Sequence, residues 1–364
     1  MLELLTVAST ALVLVLGVPA TASAGSPGWG SNQNVDTEDL IPRMDSAEAY
    51  NERYTLKSKL DNGGLIVAKF TISNVGFFNG GAKVKIKVEW PNRPTYRYSK
   101  KFGSNGWSFS KNRFELKAGD TRFLARDEKT FVVHHSGQQN GKKIDLKFVL
   151  NNDIAMWSPG SGEIQTGEGY YALDFISLRS DASGQFEVGE TTHEIQGSDQ
   201  GYGEHGVTNI APFRLADHIA NGRVYHEDPS VFYLWRKVKL ADGYGGVPVT
   251  FIVVGYKGEI IFADADADIK FGRVRKDPKT EYKVPHAVQI NGRDGEDSVK
   301  LVLRSNDVSR RNLLESYGKV VQTFASAFTE PYHYSFDAKW GLEMDIQGVE
   351  ATVRGEGGYM VDFF

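Results

Sequence analysis

The sequence predicts an all-β chain folded as two tandem antiparallel barrels, with one amphipathic helix near the C-terminus. Three observations carry this. The 364 residues include 39 Gly, 16 Tyr and 21 Phe, the turn formers and aromatic strand residues that barrels and sandwiches use. Short segments of strand-like polarity follow one another almost without interruption. Glycine also concentrates near the midpoint, at residues 197–203 (GSDQGYG), which places a junction between two units of ordinary domain size.

Residues 4–18 form an uncharged apolar run, too short to cross a bilayer comfortably at about 20 residues. Ala22-Ser23-Ala24 follows as a small-x-small cleavage pattern, so residues 1–24 read as a secretory signal and the mature chain as secreted or periplasmic. Residues 25–45, rich in Gly, Ser, Asn and acids, read as a flexible lead-in. The first barrel is expected over 46–197. Arg53–Leu60 and Leu65–Asn74 flank the turn sequence Asp61-Asn62-Gly63-Gly64. In Lys83–Trp90, Lys83, Lys85 and Lys87 face one way and Val84, Ile86 and Val88 the other, a half-buried antiparallel strand. Thr130–His135 and Lys143–Leu150 form a hairpin, and Tyr170–Leu178 and Gln185–Glu190 continue the sheet.

The second barrel is expected over 198–364. Its strands are Val231–Leu240, Val247–Tyr256, Glu259–Ala263, Glu281–Ile290, Asp297–Leu303, Trp340–Ile346 and Glu350–Arg354. Leu313, Leu314, Tyr317, Val320, Val321, Phe324 and Phe328 instead recur at helical spacing. With Asp307 as N-cap and Pro331 as a stop, this predicts a helix at about 308–328.

The absence of cysteine excludes disulfides, thiolate metal sites and cysteine nucleophiles. A net charge of −4 supplies no general field for nucleic acid, and none is expected as a partner. No phosphate-cradling glycine loop, nucleophile elbow or metalloprotease helix occurs, so no cofactor is expected.

The segment Gly201-Tyr-Gly-Glu-His205-Gly-Val-Thr-Asn-Ile-Ala-Pro212 resembles the inter-barrel signature of the AttH/hydroxyneurosporene-synthase-like lipocalin superfamily. Its His205 to Pro212 spacing is most similar to that of the fungal survival-factor proteins, which transfer ceramide. The hairpin Phe251–Ala263, the Lys319–Tyr334 passage and the closing Val353–Phe364 agree in order. The resemblance implies two lipocalin-like barrels and an apolar ligand. Carotenoid hydratases of this superfamily place tryptophan two residues after the histidine and an aspartate on the next strand. Here those places hold Val207 and the strand Val231–Lys237 (VFYLWRK), which has no carboxylate. Alkene hydration needs a positioned proton donor, so hydration is not implied.

The candidate ligand-binding residues are Tyr202, Glu204, His205, Tyr233, Trp235, Tyr256 and Trp340, with His205 the sole candidate for acid-base chemistry. Its other reading is a junction histidine that ties two barrels together, since no carboxylate stands at hydrogen-bonding spacing along the sequence. Lys83, Lys85 and Lys87, near Arg93, Arg97, Lys100 and Lys101, could dock on an anionic membrane or form an ordinary solvated face. His218 and His226 lack the spacing of a metal site, and none is expected. Asp264, Asp266 and Asp268 would share one strand face. They lack the glycine and glutamate that a calcium loop needs, because Ile269 and Arg275 stand there. His134 and His135 point to opposite faces of a strand. The function expected is a carrier for a lipid, sphingolipid-like or terpenoid ligand. The alternatives are an isomerase, cyclase or hydratase on the same fold, and a structural protein with filled barrels.

Overall fold

The computed structural model describes residues 28–29, 35–75, 79–167, 169–226, 230–316 and 331–364. The signal segment 1–24 lies outside them. In chain order the first lobe has β1 (Asn51–Lys59), β2 (Leu65–Ser73), β3 (Gly81–Glu89), β4 (Tyr96–Phe102) and β5 (Trp107–Phe109). It continues through β6 (Glu115–Ala118), β7 (Thr121–Ala125), β8 (Thr130–Gln139), β9 (Lys142–Asn152) and β10 (Glu163–Gln165). β11 (Tyr170–Ser177), β12 (Ser180–Val188), β13 (Thr191–Gly197) and β14 (Gly201–Thr208) complete it. The second lobe has β15 (Ala216–His226), β16 (Val231–Leu240), β17 (Pro248–Tyr256), β18 (Glu259–Asp264) and β19 (Asp268–Lys276). It ends with β20 (Lys283–Asp294), β21 (Asp297–Asn312), β22 (Tyr332–Ile346) and β23 (Val349–Phe363).

All described pairings are antiparallel, as the alternating segments predict. The first lobe is two seven-stranded sheets, β10-β11-β14-β1-β2-β3-β4 and β13-β12-β9-β8-β7-β6-β5. They close over one core in which Phe70 meets Phe123 and Tyr54 meets Phe114. The second lobe is one nine-stranded sheet, β18-β17-β16-β15-β23-β22-β21-β20-β19. It curls back on itself: the Thr250 hydroxyl of β17 donates to the Ala267 carbonyl just before β19, at 2.6 Å. A third cluster, including Trp29, Phe175, Tyr202, Leu234 and Phe251, joins the lobes.

The structure moves several expected features. β14 pairs with β1 and β11, so the segment expected to open the second barrel completes the first. Glycine misled here for a physical reason. A Cβ at Gly201 would lie 2.0 Å from the Ser180 hydroxyl oxygen, and one at Gly203 2.8 Å from Ile176. These glycines admit close packing and mark no linker. The lobes instead meet after residue 208, through a one-turn helix at Pro212–Leu215.

The lead-in is also tied down in part. Trp29 is buried against Tyr171 and Phe251, and the buried Leu40 offers its carbonyl to the Tyr54 hydroxyl at 2.9 Å. Residues 308–312, expected to begin a helix, belong to β21 and pair with β22 out to Asn312↔Tyr332. Pairing with a long neighbouring strand overrides the local pattern there. A short 3₁₀ turn, Leu313–Ser316, follows, and the rest of the expected helix lies outside the described residues. Asp264, Asp266 and Asp268 do not share a strand face, because they span the β18–β19 turn. Asp264 accepts from the Asp266 and Arg293 amides at 2.8 and 2.9 Å.

Candidate functional site

The odd-numbered residues of β14 face the first lobe's interior and the even-numbered ones face the second lobe. His205 is therefore inside the first lobe, opposite Tyr54 and Asp174 in register, and wholly buried. Its ring stacks on Tyr54, with centroids 4.4 Å apart and planes within 6°. Nε2 meets Glu52 Oε1 at 2.7 Å and Nδ1 meets Asp174 Oδ2 at 3.2 Å. Glu52 also accepts from the Tyr50 and Tyr54 hydroxyls and from the Arg43 amide.

Burial alone would depress this imidazolium, but the hydrogen bonds and charges of Asp174 and Glu52 outweigh it and raise His205 to about 9. Burial likewise works against ionised Glu52, and the His205 hydrogen bond and charge overcome it, holding that carboxyl below its usual range. An imidazolium clamped by two carboxylates has both N–H groups satisfied and carries no proton to spare at neutral pH. The expectation that His205 lacks a carboxylate partner is thus overturned: its partners stand 31 and 153 residues away in sequence. A signal for both was present, because Glu52 stands in phase with Tyr54 and Leu56, and Asp174 with Ala172 and Ile176. Each is an acid in the buried phase of its strand.

The other face of β14 carries Tyr202 and Glu204. The Tyr202 hydroxyl donates to Glu204 Oε2 at 2.6 Å, and Arg236 of β16 donates to the same oxygen at 2.7 Å. Arg53 stands 3.6 Å from Oε1. Burial opposes ionised Glu204, yet the charges of Arg236 and Arg53 hold it well below the usual carboxylate range. The Tyr202 ring lies 4.1 Å from the Arg223 guanidinium carbon and 4.9 Å from Lys57 Nζ, both within cation–π reach.

Register extends this face across the first sheet. Lys85, Lys69, Thr55 and Glu204 are successive cross-strand neighbours, as are Lys87, Val67, Lys57 and Tyr202, and Lys83, Thr71, Arg53 and Gly206. The basic strand face of Lys83, Lys85 and Lys87 therefore runs directly into the lobe junction. Lys87 pairs with Glu89 at 2.6 Å. Lys57 and Lys69, partly buried, have no ion pair among the described residues. Burial, and then Arg223, pushes Lys57 down to about 7; burial, and then Arg53, pushes Lys69 down to about 8. Neither lysine stands out in the sequence, since Lys57 meets Arg223 and Arg236 only through the second lobe, and Lys69 meets Arg53 and Glu204 only through cross-strand register.

The remaining candidates lie elsewhere. Tyr233, Trp235 and Trp340 are buried in the second lobe's aromatic interior, where Tyr233 and Trp340 meet edge to face at 5.2 Å. The Tyr233 hydroxyl and the Nε1 atoms of Trp235 and Trp340 have no hydrogen-bond partner among the described residues. Tyr256 sits partly buried at the end of β17, its ring 4.9 Å from Lys257 Nζ. His218 and His226 share β15 but stand apart, one against Phe271 and Phe363, the other against Trp340. His135 is buried between the Tyr96 and Thr121 hydroxyls at 2.7 and 2.8 Å, and burial pushes it down to about 4. The one group of carboxylates close enough to share a cation among the described residues is Asp153, Asp181 and Asp199. Arg179 already pairs there with Asp199.

No protein-family model matches the sequence, and no curated protein matches it. Solved structures do match the fold over nearly the whole chain. CghA superposes with a TM-score of 0.59 at 10% identity, over 95% of this chain and 96% of that one. CghA with Sch210972 gives 0.57 at 10% identity, over the same shares. An AttH protein (NE1406) from Nitrosomonas europaea gives 0.51 at 12% identity, over 95% of this chain and 99% of that one.

Proposed function

We propose that this protein, built on the tandem lipocalin-like fold of the CghA and AttH structures, is an isomerase or cyclase acting on a largely apolar small molecule at the junction of its lobes. The observation that carries the proposal is Lys57, a lysine without an ion pair among the described residues, held near 7 beside Tyr202 and Arg223. A base poised near the working pH moves protons most effectively, and perturbed ionisable groups of this kind gather at functional sites. In this reading Lys57 takes a proton from one carbon of the substrate and returns it to another, while Glu204 and Arg236 orient Tyr202. A fold relative solved with Sch210972 supports occupancy by a compound. Hydration is not favoured, because Glu204 is fully ionised and His205, though cationic, is sealed from substrate.

The test is to purify the protein from its host, extract and identify the bound compound, and incubate it with wild type and Lys57→Met. Wild type is expected to convert it to an isomer of equal mass, with an apparent pKa near 7 in the rate profile. Lys57→Met is expected to bind it but convert it at least 100-fold more slowly. A compound retained unchanged by wild type would restore the carrier reading, and equal conversion by the variant would remove Lys57 from the chemistry.

A further inference from the structure

The junction is out of electrostatic balance. The first sheet contributes Arg53, Lys57, Lys69 and Lys85 to one face, and the second lobe adds Arg223 and Arg236. Against them, among the described residues, the carboxylate in contact is Glu204, already shared by Arg236 and Arg53. Glu89, farther out on the same face, is taken by Lys87. Two guanidinium nitrogens, Arg223 NH1 and Arg236 Nε, are buried without a hydrogen-bond partner among the described residues, and Arg236 is only 8% exposed. A buried charged donor left unpaired is costly, and clustered like charges raise that cost further. Space adjoins the cluster: a Cβ at Gly206, the cross-strand neighbour of Arg53, would meet nothing nearer than the Ala172 carbonyl oxygen at 4.0 Å.

We infer that the molecule bound at this junction carries an anionic group, a carboxylate or a phosphate, seated against Lys57, Lys69 and Arg223. Arg223 would present its unpaired N–H to one oxygen and the Lys69 ammonium would supply charge without fixed geometry, while Lys57, neutral as the base, becomes charged beside them once it has taken its proton. The apolar remainder of the ligand is then directed along the face beside Gly206. The inference rests on the reading of the junction as the ligand site and adds the substrate's charge.

Isothermal titration with dodecanoate, dodecyl phosphate and 1-dodecanol, each below its micellar concentration, separates the possibilities. One of the two anions is expected to bind at least 10-fold more tightly than the alcohol, weakening with added salt. The tighter anion identifies the group. In the double variant Lys57→Met/Lys69→Met that preference is expected to vanish, with melting unchanged or raised. Gly206→Phe, which places a ring in the open space, is expected to weaken all three probes. If the alcohol binds as tightly as both anions, or the double variant keeps the preference, the anionic group is refuted. Should Gly206→Phe still weaken every probe in that case, the junction stands as the site; should it weaken none, the junction reading falls as well.

Discussion

His205 and Glu204 are neighbours in β14, yet they point to opposite sides of the first sheet and meet opposite electrostatic surroundings. Inside the lobe, one cation is enclosed by two carboxylates, each ring nitrogen is bonded, and solvent is excluded. At the junction, among the described residues, Glu204 is outnumbered by cations, two lysines lack ion pairs, and two guanidinium nitrogens lack hydrogen-bond partners. A closed, charge-balanced cluster has everything it needs to hold strands together and nothing left for a ligand. An open, unbalanced one has unspent capacity. The histidine that draws attention in the sequence belongs to the first kind, and its neighbour two strand positions from Gly206 belongs to the second.

The largest effect expected follows from opening the balanced cluster. His205→Ala leaves two buried carboxylates without a cation, a loss of about 3–5 kcal/mol, measured by urea denaturation. His205→Gln restores hydrogen bonding but no charge, so it is expected to recover only a minor part. Full recovery by Gln would show that charge is not what the ring supplies.

Smaller effects come from pH, where the two faces act with opposite sign. His205 is raised from 6.5 to about 9 in the fold, so its stabilisation is complete below pH 6.5 and is lost as pH climbs through 9. Lys57 is lowered from 10.5 to about 7. Between those values the unfolded chain binds more protons, and stability from this group rises with pH. Lys57→Met removes the rising contribution, so its melting temperature is expected to fall more between pH 7 and pH 9 than that of wild type. Equal falls would mean the two faces do not oppose each other.

The second lobe's interior offers the mildest test. Its Tyr233 hydroxyl is buried and unpartnered among the described residues, so Tyr233→Phe is expected to leave stability unchanged or raise it by up to about 1 kcal/mol. A loss of that size in urea denaturation would reveal a partner for the hydroxyl and make this interior resemble the first lobe's.

Much of this was readable in the chain. Strict alternation in Lys83–Trp90 placed Val84, Ile86 and Val88 in the core, where they are fully buried. The segment Val231–Leu240 is a strand with the bounds read from its sequence. Tyr202 and Glu204 were picked from their motif, and they do meet at the junction. What the sequence could not show was register. Lys69 and Lys85 stand beside each other only because β2 and β3 pair as they do, and Arg236 reaches Glu204 only because the second lobe packs on β14. His205 was misjudged for the same reason, since Glu52 and Asp174 come to it through tertiary pairing. The glycines at 197–203 show the converse error, where residues that permit close contact looked like residues that permit freedom.

The difference between the two faces comes down to one measurement: thermal melting of wild type, His205→Gln and Lys57→Met/Lys69→Met, each with and without the tighter binder of dodecanoate and dodecyl phosphate. Ligand that binds only the folded state raises the melting temperature. His205→Gln is expected to melt several degrees lower than wild type yet keep the full upward shift, while Lys57→Met/Lys69→Met melts no lower than wild type and loses most of the shift. A shift abolished in His205→Gln and preserved in Lys57→Met/Lys69→Met would place the ligand on the other side of β14 and contradict the reading of the junction as the ligand site.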